Sequence, residues 1–153
     1  MAITDQIGNI FTTQAQAIGH GVNTKGVMGA GIAFSVRLMY PEIYLEYREL
    51  CDSDGLQPGG VYTALDDRSG RYIVNLASQD APGANARLEW LRSSLSHGLD
   101  ELNELGVTSL ALPRIGAGIG GLEWPEVREA IEEVAEAYPH MELELWEFKP
   151  KAG

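Results

Sequence analysis

The chain of 153 residues is 44% hydrophobic and 22% charged, with a net charge of −11, and this composition is typical of a globular protein. The length predicts a single domain over residues 1–153, and no apolar run approaches the roughly 20 residues of a membrane span. The acidic balance argues against sequence-independent binding of long nucleic acid, although a nucleic-acid end or a single base can still enter a pocket.

Cysteine and histidine usage bounds the compartment and the metal chemistry. The single cysteine, Cys51, rules out an internal disulfide framework and fits a reducing compartment, so we expect a cytoplasmic protein. One cysteine and three scattered histidines argue against a zinc cluster, and we predict no metal site. The N-terminal residues lack the basic and then apolar segments of a secretion signal.

Apolar runs of β character recur along the chain and predict six strands. In chain order they are a weak one at residues 2–7 and then residues 15–22, 60–65, 71–76, 108–112 and 143–148. The short polar link at residues 66–70 predicts an antiparallel hairpin between the third and fourth strands, so we expect a mixed sheet.

Four helical patterns alternate with these strands. They are residues 29–39, residues 41–51 after a proline start, a leucine-marked helix at 88–105 that Gly106 ends, and a fourth pattern at 127–138 with Pro125 near its start. Alternating strands and helices predict an α/β sandwich with helices on both faces of the sheet. Ligands of such sheets bind beyond the carboxyl ends of the strands.

Two glycine-rich turns follow predicted strands, GVMGAGIA at residues 26–33 and PRIGAGIGGLEW at residues 113–124. Glycine lets backbone N–H groups approach a ligand closely, and a helix that starts behind such a turn adds free donors and a positive dipole end. Two such turns at one edge of a sheet can clamp two linked phosphates. The pair therefore points to a diphosphate ligand.

Polar residues at the same rim are candidates for catalysis. Asn23 can donate to a ribose hydroxyl or orient a water, or it can serve the backbone of its own turn. Ser78, Gln79 and Asp80 follow another strand and can converge on the ligand, although polar loop residues are often only solvated. We expect His20, at the end of a strand, to be a packing residue with satisfied hydrogen bonds.

The two turns resemble the ADP-ribose loops of the macrodomain family, in the segments VNTKGVMGAGIA (residues 22–33) and PRIGAGIGGLEW (residues 113–124). The resemblance extends from Gly8 to Phe148. It is strongest to the branch of terminal ADP-ribose protein glycohydrolase and of the antitoxin macrodomains that remove ADP-ribose from DNA. It implies a three-layer α/β/α sandwich around a central mixed sheet, a cleft that holds the diphosphate of ADP-ribose between the glycine loops, and no cofactor.

The resemblance also implies which residues contact ADP-ribose. Asn9 takes the place of the family's adenine-contacting aspartate, and Arg114 either pairs with phosphate or holds its own loop. The implied ligand-binding residues are Asn9, Ile10, Asn23, Gly29, Ala30, Gly31, Ile32, Ser78, Arg114, Ile115, Gly116, Ala117, Gly118, Ile119 and Gly120.

The charged catalytic residues of the family are not at their expected places. Gln79 takes the position of the branch's lysine, Gly120 that of an aspartate, and residues 32–34 read Ile-Ala-Phe where another branch has an aspartate. An amide lacks the nucleophilicity of a lysine, so attack on the ribose by residue 79 is excluded.

These residues leave three functions open. We predict a hydrolase that removes mono-ADP-ribose from protein Glu/Asp or from DNA bases, with water placed by Asn23, Gln79 or Asp80. The alternative is a module that binds ADP-ribose without cleaving it. A phosphatase acting on ADP-ribose 1″-phosphate is a third option. The lack of a histidine or an acidic residue in the glycine turns counts against it. The expected partners are ADP-ribose and mono-ADP-ribosylated protein or DNA. We expect a monomer that does not bind membranes and that acts in DNA repair or damage response.

Overall fold

A single six-stranded sheet organises the chain. The computed structural model describes residues 2–149, and the two ends of the predicted 1–153 domain lie outside them. The strands are β1 (Ala2–Ile7), β2 (Ala17–Val22), β3 (Val61–Asp66), β4 (Arg71–Ala77), β5 (Ser109–Pro113) and β6 (Glu142–Glu147). Their order across the sheet is β1-β6-β5-β2-β4-β3, and every neighbouring pair is parallel except the β3–β4 hairpin. The predicted mixed sheet is therefore confirmed.

Four helices cover the two faces of this sheet. They are α1 (Gly31–Met39), α2 (Pro41–Asp52), α3 (Leu88–Glu104) and α4 (Trp124–Ala135), with short 3-10 turns at Ile10–Thr12 and Gly118–Gly120. The buried residues of α1 and α2 pack in one core cluster, and those of α3 and α4 pack in a second cluster on the other face. This is the expected three-layer α/β/α sandwich.

Strand alternation explains the two cores. In β4, Val74 and Leu76 face the α3 and α4 side, whereas Ile73 and Ala77 face the α1 and α2 side. All four are fully buried, as expected for a central parallel strand with helices on both faces. Gly98 lets α3 lie close to the sheet, because a Cβ there would stand 3.1 Å from Cγ1 of Val74.

The predicted elements agree with the observed ones, with shifts at their ends that matter most at α1. This helix begins at Gly31, two residues later than predicted, because Ala30 is extended (φ −152°, ψ 159°) and acts as the N-cap. Gly29 and Ala30 therefore stay outside the helix. The fourth helix begins at Trp124 and ends at Ala135, before Tyr138, which the sequence pattern had included.

The topology brings three loops to one edge of the sheet. Because β2, β4 and β5 are adjacent and parallel, the loops that follow them leave from the same edge. Both glycine turns and the segment after residue 77 are among these loops. Within residues 2–149, no helix combines the length and apolar character needed to cross a bilayer.

Candidate active site

A cleft of about 270 Å³ lies at this edge, above the ends of β2, β4 and β5. Its walls come from the two glycine turns and from the loop after β4. Of the residues predicted to act in catalysis or to contact a ligand, those that line the cleft are Asn23, Gly29, Ala30, Gly31, Ile32, Ser78, Gln79, Arg114, Ile115, Gly116, Ala117, Ile119 and Gly120.

Asn23 organises the first glycine turn. Its Oδ1 accepts the N–H of Lys25 at 2.9 Å and that of Val27 at 3.4 Å, and its Nδ2 donates to the carbonyl of Val27 at 2.8 Å. The hydroxyl of Tyr47 lies 2.7 Å from the carbonyl oxygen of Asn23 and 3.1 Å from its Oδ1. The side chain is thus engaged in holding the turn, and one Nδ2 hydrogen is left to meet a water or a ligand.

The second glycine turn faces the first across the cleft. Gly116 and Gly118 have φ values of +75° and +67°, which only glycine adopts without strain. Ile119 is 60% exposed, and its Cδ1 lies 3.9 Å from the position of a Cβ on Gly31. Its side chain therefore reaches across the cleft from one turn to the other.

The backbone of the two turns presents unused hydrogen-bond donors. Nine N–H groups of the two turns line the cleft and donate to no other group in residues 2–149, and we call them the free amides: Gly29, Ala30, Gly31, Ile32, Ala33, Arg114, Gly116, Ile119 and Gly120. Four of them belong to the N-cap and first turn of α1, where the helix leaves its donors unpaired and its dipole is positive. Such a set of donors is suited to bind an anion.

Arg114 is the one charged side chain among the described residues that line the cleft. Its Nη2 donates to Glu147 at 3.0 Å, and its guanidinium lies 4.8 Å from the ring centroid of Trp124. These contacts favour the loop-holding role over a phosphate contact. The donors that this cleft offers to an anion are therefore mainly those of the backbone.

The loop after β4 sends adjacent residues in different directions. Gln79 lines the cleft, and its Nε2 donates to the carbonyl of Ala81 at 2.8 Å, so its Oε1 is available as an acceptor. Asp80 does not line the cleft, and its carbonyl accepts the hydroxyl of Thr24 at 3.2 Å. The structure thus brings Gln79, but not Asp80, to the site where both were predicted to act.

Three predicted ligand residues lie outside the cleft walls. Asn9 caps the first 3-10 turn, where its Oδ1 accepts the N–H of Phe11 at 2.9 Å, and Ile10 is buried in the core. Gly118 belongs to the second turn, and a Cβ on this residue would have no other atom within 4 Å. Contacts of these residues with a ligand stay predictions.

His20 lines the cleft, although its position in the sequence predicts a packing role. It is 1% exposed, and its Nε2 lies 2.6 Å from Oδ1 of Asn75, its register partner on β4. His20 is thus buried as a packing residue, as expected, but only one of its ring nitrogens is satisfied, because Nδ1 has no hydrogen-bond partner in the part of the chain that the structure describes. Burial lowers the pKa of His20 to about 4. The signal available in the sequence was a polar residue near the end of each of two predicted strands, His20 and Asn75. The sequence alone did not show that these two residues pair.

Comparison with known proteins places this fold and cleft in a family. Residues 20–131 match the Macro domain family. The chain is 35% identical to "DNA ADP-ribosyl glycohydrolase" of Thermus aquaticus over 94% of its own length, but it spans only 40% of that relative. It is 33% identical to "ADP-ribose glycohydrolase OARD1" of Bos taurus, with 88% of this chain and 85% of the relative covered.

Solved structures of macrodomains have the same fold as this chain. The macrodomain of Thermus aquaticus DarG superposes with a TM-score of 0.86 at 33% identity, covering 95% of this chain and 97% of that one. The sheet order, the paired glycine turns and these similarities lead to one assignment. The chain belongs to the macro domain family.

Proposed function

We propose that this protein is an ADP-ribosyl hydrolase that binds ADP-ribose in the cleft and removes mono-ADP-ribose from modified protein or DNA. The free amides of the two glycine turns are the observation that carries the proposal. Relatives that are named as ADP-ribosyl glycohydrolases acting on DNA, or as an ADP-ribose glycohydrolase, support it.

The chemistry of a diphosphate matches the free amides. Its oxygens are charged acceptors without hydrogens at neutral pH, so they require donors, and hydrogen bonds from N–H groups to an anion are stronger than those between neutral groups. Donors come from both sides of the cleft, at Gly31 and Gly116 for example, and the N-terminus of α1 adds its dipole. ADP-ribose supplies the linked phosphates that such a clamp fits.

The proposed hydrolysis uses water as its only co-reactant. Gln79 lines the cleft, and its Nε2 is bound to the carbonyl of Ala81, so its Oε1 is the atom that can accept a hydrogen of a water that attacks C1″ of the distal ribose. The bond from C1″ to the modified group breaks, the water oxygen takes its place, and the water proton leaves with the departing group. An ester to Glu or Asp is intrinsically labile, so positioning of the ribose and the water supplies much of the acceleration.

The test compares two substrates with the same purified protein. We expect release of ADP-ribose, followed by chromatography, from a Glu-linked ADP-ribosylated protein or from an ADP-ribosylated oligonucleotide. The relative rates identify the preferred carrier. Release no faster than in buffer on both substrates rejects the hydrolase.

The second candidate is a module that binds ADP-ribose without cleaving it. The observation in its favour is that Gln79 and Gly120, both uncharged, occupy the two positions where the resemblance implies a lysine and an aspartate. Calorimetry that shows ADP-ribose binding, together with no turnover of either substrate, selects this candidate. Absence of ADP-ribose binding rejects both.

We propose a cytoplasmic monomer as the working form, acting in the reversal of ADP-ribosylation in DNA repair or damage response. The support for a reducing compartment is that Cys51 is a free, buried thiol.

A further inference from the structure

The cationic side chains of this acidic chain differ in whether a carboxylate lies beside them. Five of those that the structure describes are within 4.0 Å of one: Arg87, Arg92, Arg114, Arg128 and Lys149. Lys25, Arg37 and Arg48 are exposed, and no carboxylate of residues 2–149 comes within that distance of their charged nitrogens. Such cations are an exception in a chain with a net charge of −11, and their position decides what they can bind.

These three cations surround Gly26 in the first glycine turn. Cγ of Arg48 lies 3.4 Å from the position that a Cβ on Gly26 would take, and Lys25 precedes Gly26 in the chain. The guanidinium of Arg37 lies 4.5 Å from the ring centroid of Tyr44, whose hydroxyl is 3.5 Å from the carbonyl oxygen of Gly26. Lys25, Arg37 and Arg48 therefore form one surface, which we call the cationic patch.

The cationic patch adjoins the cleft but is not part of its walls. Ala33 lines the cleft, and Arg37 follows it by one helical turn on the same face of α1. The N–H of Lys25 donates to Asn23, another cleft residue. Because the free amides already serve the diphosphate of ADP-ribose, the patch is placed to meet an anion on the molecule to which ADP-ribose is attached.

Phe34 adds an exposed aromatic ring beside the patch. Its side chain is 43% exposed, and it belongs to neither core cluster. Phe34 follows the cleft residue Gly31 by three positions and precedes Arg37 by three, so these residues form one row along α1. Proteins bind single-stranded nucleic acid with this combination, in which cations attract the phosphates and a ring stacks on a base.

We propose that the cationic patch and Phe34 bind the single-stranded nucleic acid that carries the ADP-ribosylated nucleotide. The cations contact phosphates next to that nucleotide, and Phe34 stacks on a neighbouring base. The inference rests on the proposed function, since it assumes that ADP-ribose occupies the cleft, and it selects nucleic acid over protein as the carrier. A nucleic-acid strand has a negative charge at every nucleotide, whereas the peptide around a modified Glu or Asp has no fixed charge.

The experiment compares four proteins. They are the wild type, the patch variant Lys25→Gln/Arg37→Gln/Arg48→Gln, Phe34→Leu, and the control variant Arg68→Gln/Arg92→Gln/Arg128→Gln. The control variant has the same net charge as the patch variant. Its substitutions lie away from the cleft, because Arg68 is in the β3–β4 hairpin at the opposite edge of the sheet, and Arg92 and Arg128 are on α3 and α4. Glutamine at position 25 keeps the N–H that donates to Asn23.

Two quantities are measured for each protein. The first is kcat/KM for release of ADP-ribose from an ADP-ribosylated single-stranded oligonucleotide and from an ADP-ribosylated peptide, at about 50 and about 200 mM NaCl. The second is the calorimetric dissociation constant for free ADP-ribose, which reports on the cleft alone.

We expect kcat/KM of the wild type on the oligonucleotide to fall about twentyfold between the two salt concentrations, as three phosphate contacts on a single strand imply. The patch variant should lose about tenfold at the lower salt concentration and depend much less on salt. Phe34→Leu should lose about fivefold at both concentrations. Release from the peptide and the affinity for free ADP-ribose should change less than about twofold, and the control variant should behave as the wild type.

The outcomes separate this inference from the proposed function. If the wild type acts on the oligonucleotide and the patch and control variants lose activity equally, the assignment of the patch is wrong and the proposed function stands. A wild-type rate for Phe34→Leu overturns the stacking role. Release from the peptide alone makes protein the carrier and also overturns the inference.

The remaining outcomes concern a wild type that releases nothing. If it binds ADP-ribose, the hydrolase is rejected, and the dissociation constants of the intact ADP-ribosylated oligonucleotide for the same four proteins decide the role of the patch by the same comparison. If it binds no ADP-ribose, the proposed function and the inference both fail.

Discussion

The amide oxygen of Gln79 lies 3.5 Å from the position that a Cβ on Gly120 would take. Residues 79 and 120 are therefore direct neighbours across the cleft, although 41 positions separate them in the sequence. A Cβ at 120 would also stand 3.1 Å from Cβ of Ala86, so an aspartate there would be crowded and would face an amide oxygen. The two uncharged residues form a matched pair, which is the arrangement expected if the proposed hydrolase is adapted to work without a lysine and an aspartate.

Gln79→Ala tests this adaptation directly. If Oε1 accepts a hydrogen of the attacking water, its removal should lower the rate of ADP-ribose release about tenfold while the dissociation constant for ADP-ribose changes little. Single-turnover release and calorimetry measure the two quantities separately.

The matched control for this variant is Gln57→Ala. Gln57 also donates through Nε2 to a nearby carbonyl, that of Asp54 at 2.9 Å, but it does not line the cleft. Its variant should keep the wild-type rate. An unchanged rate for Gln79→Ala would show that this amide has no part in the chemistry.

Gly118→Glu tests whether the second glycine turn binds a diphosphate. A carboxylate in this turn should repel the phosphates and weaken ADP-ribose binding by at least about tenfold, as calorimetry can measure. Gly118 has a φ of +67°, so any side chain also introduces backbone strain.

Gly70→Glu separates strain from charge. Gly70 lies in the β3–β4 hairpin with a φ of +74°, and a Cβ there also meets nothing within 4 Å. The two variants should lose similar stability, and only Gly118→Glu should lose affinity. Equal ADP-ribose affinity for the two proteins would contradict the diphosphate assignment.

Asn23→Ala should weaken ADP-ribose and ADP binding to a similar degree. Its side chain holds the first glycine turn through Lys25, Val27 and Tyr47, and these contacts do not depend on which ligand is bound. The loss of these bonds should also cost about 2 kcal/mol of unfolding free energy, measured by urea denaturation.

Asn85→Ala provides the comparison, because Nδ2 of Asn85 also donates to a loop carbonyl, that of Pro82 at 2.8 Å, at an exposed position. It should change stability by less than about 0.5 kcal/mol. If Asn23→Ala lost turnover but kept stability and the affinity for ADP, its main role would be to place water.

The pH dependence of stability should carry the signature of His20. Its pKa is about 4 in the folded protein against 6.5 for an unperturbed histidine, so the unfolded state binds more protons between these values. The stabilisation is complete above about pH 6.5 and is lost as the pH falls toward 4, by up to about 3 kcal/mol.

Urea denaturation of the wild type and of His20→Phe/Asn75→Leu at about pH 7, 5.5 and 4.5 isolates this contribution from that of the carboxylates. The stability of the wild type relative to the double variant should decline as the pH falls. A constant difference over this range would mean that His20 titrates normally in the folded state.

Much of the fold could be predicted because its signals are local. Leucines at helical spacing marked α3, Gly106 marked its end, and the turn at residues 66–70 marked the β3–β4 hairpin. The meeting of the two glycine turns at one edge followed from the alternation of strands and helices.

The parts of the site that escaped prediction depend on backbone torsions and long-range partners. The extended Ala30 leaves two residues of the first turn outside α1, and neighbouring Gln79 and Asp80 diverge because their backbone carbonyls and side chains find different partners. The pairing of His20 with Asn75 joins residues 55 positions apart, and it depends on strand register rather than on any local pattern.

The free amides have an evolutionary consequence. Where the backbone is not in the left-handed region and the side chain points away from the ligand, a pocket that binds through the main chain tolerates exchange of side chains, because every residue type except proline retains the N–H group. Side chains around the reacting carbon are then free to drift while recognition persists.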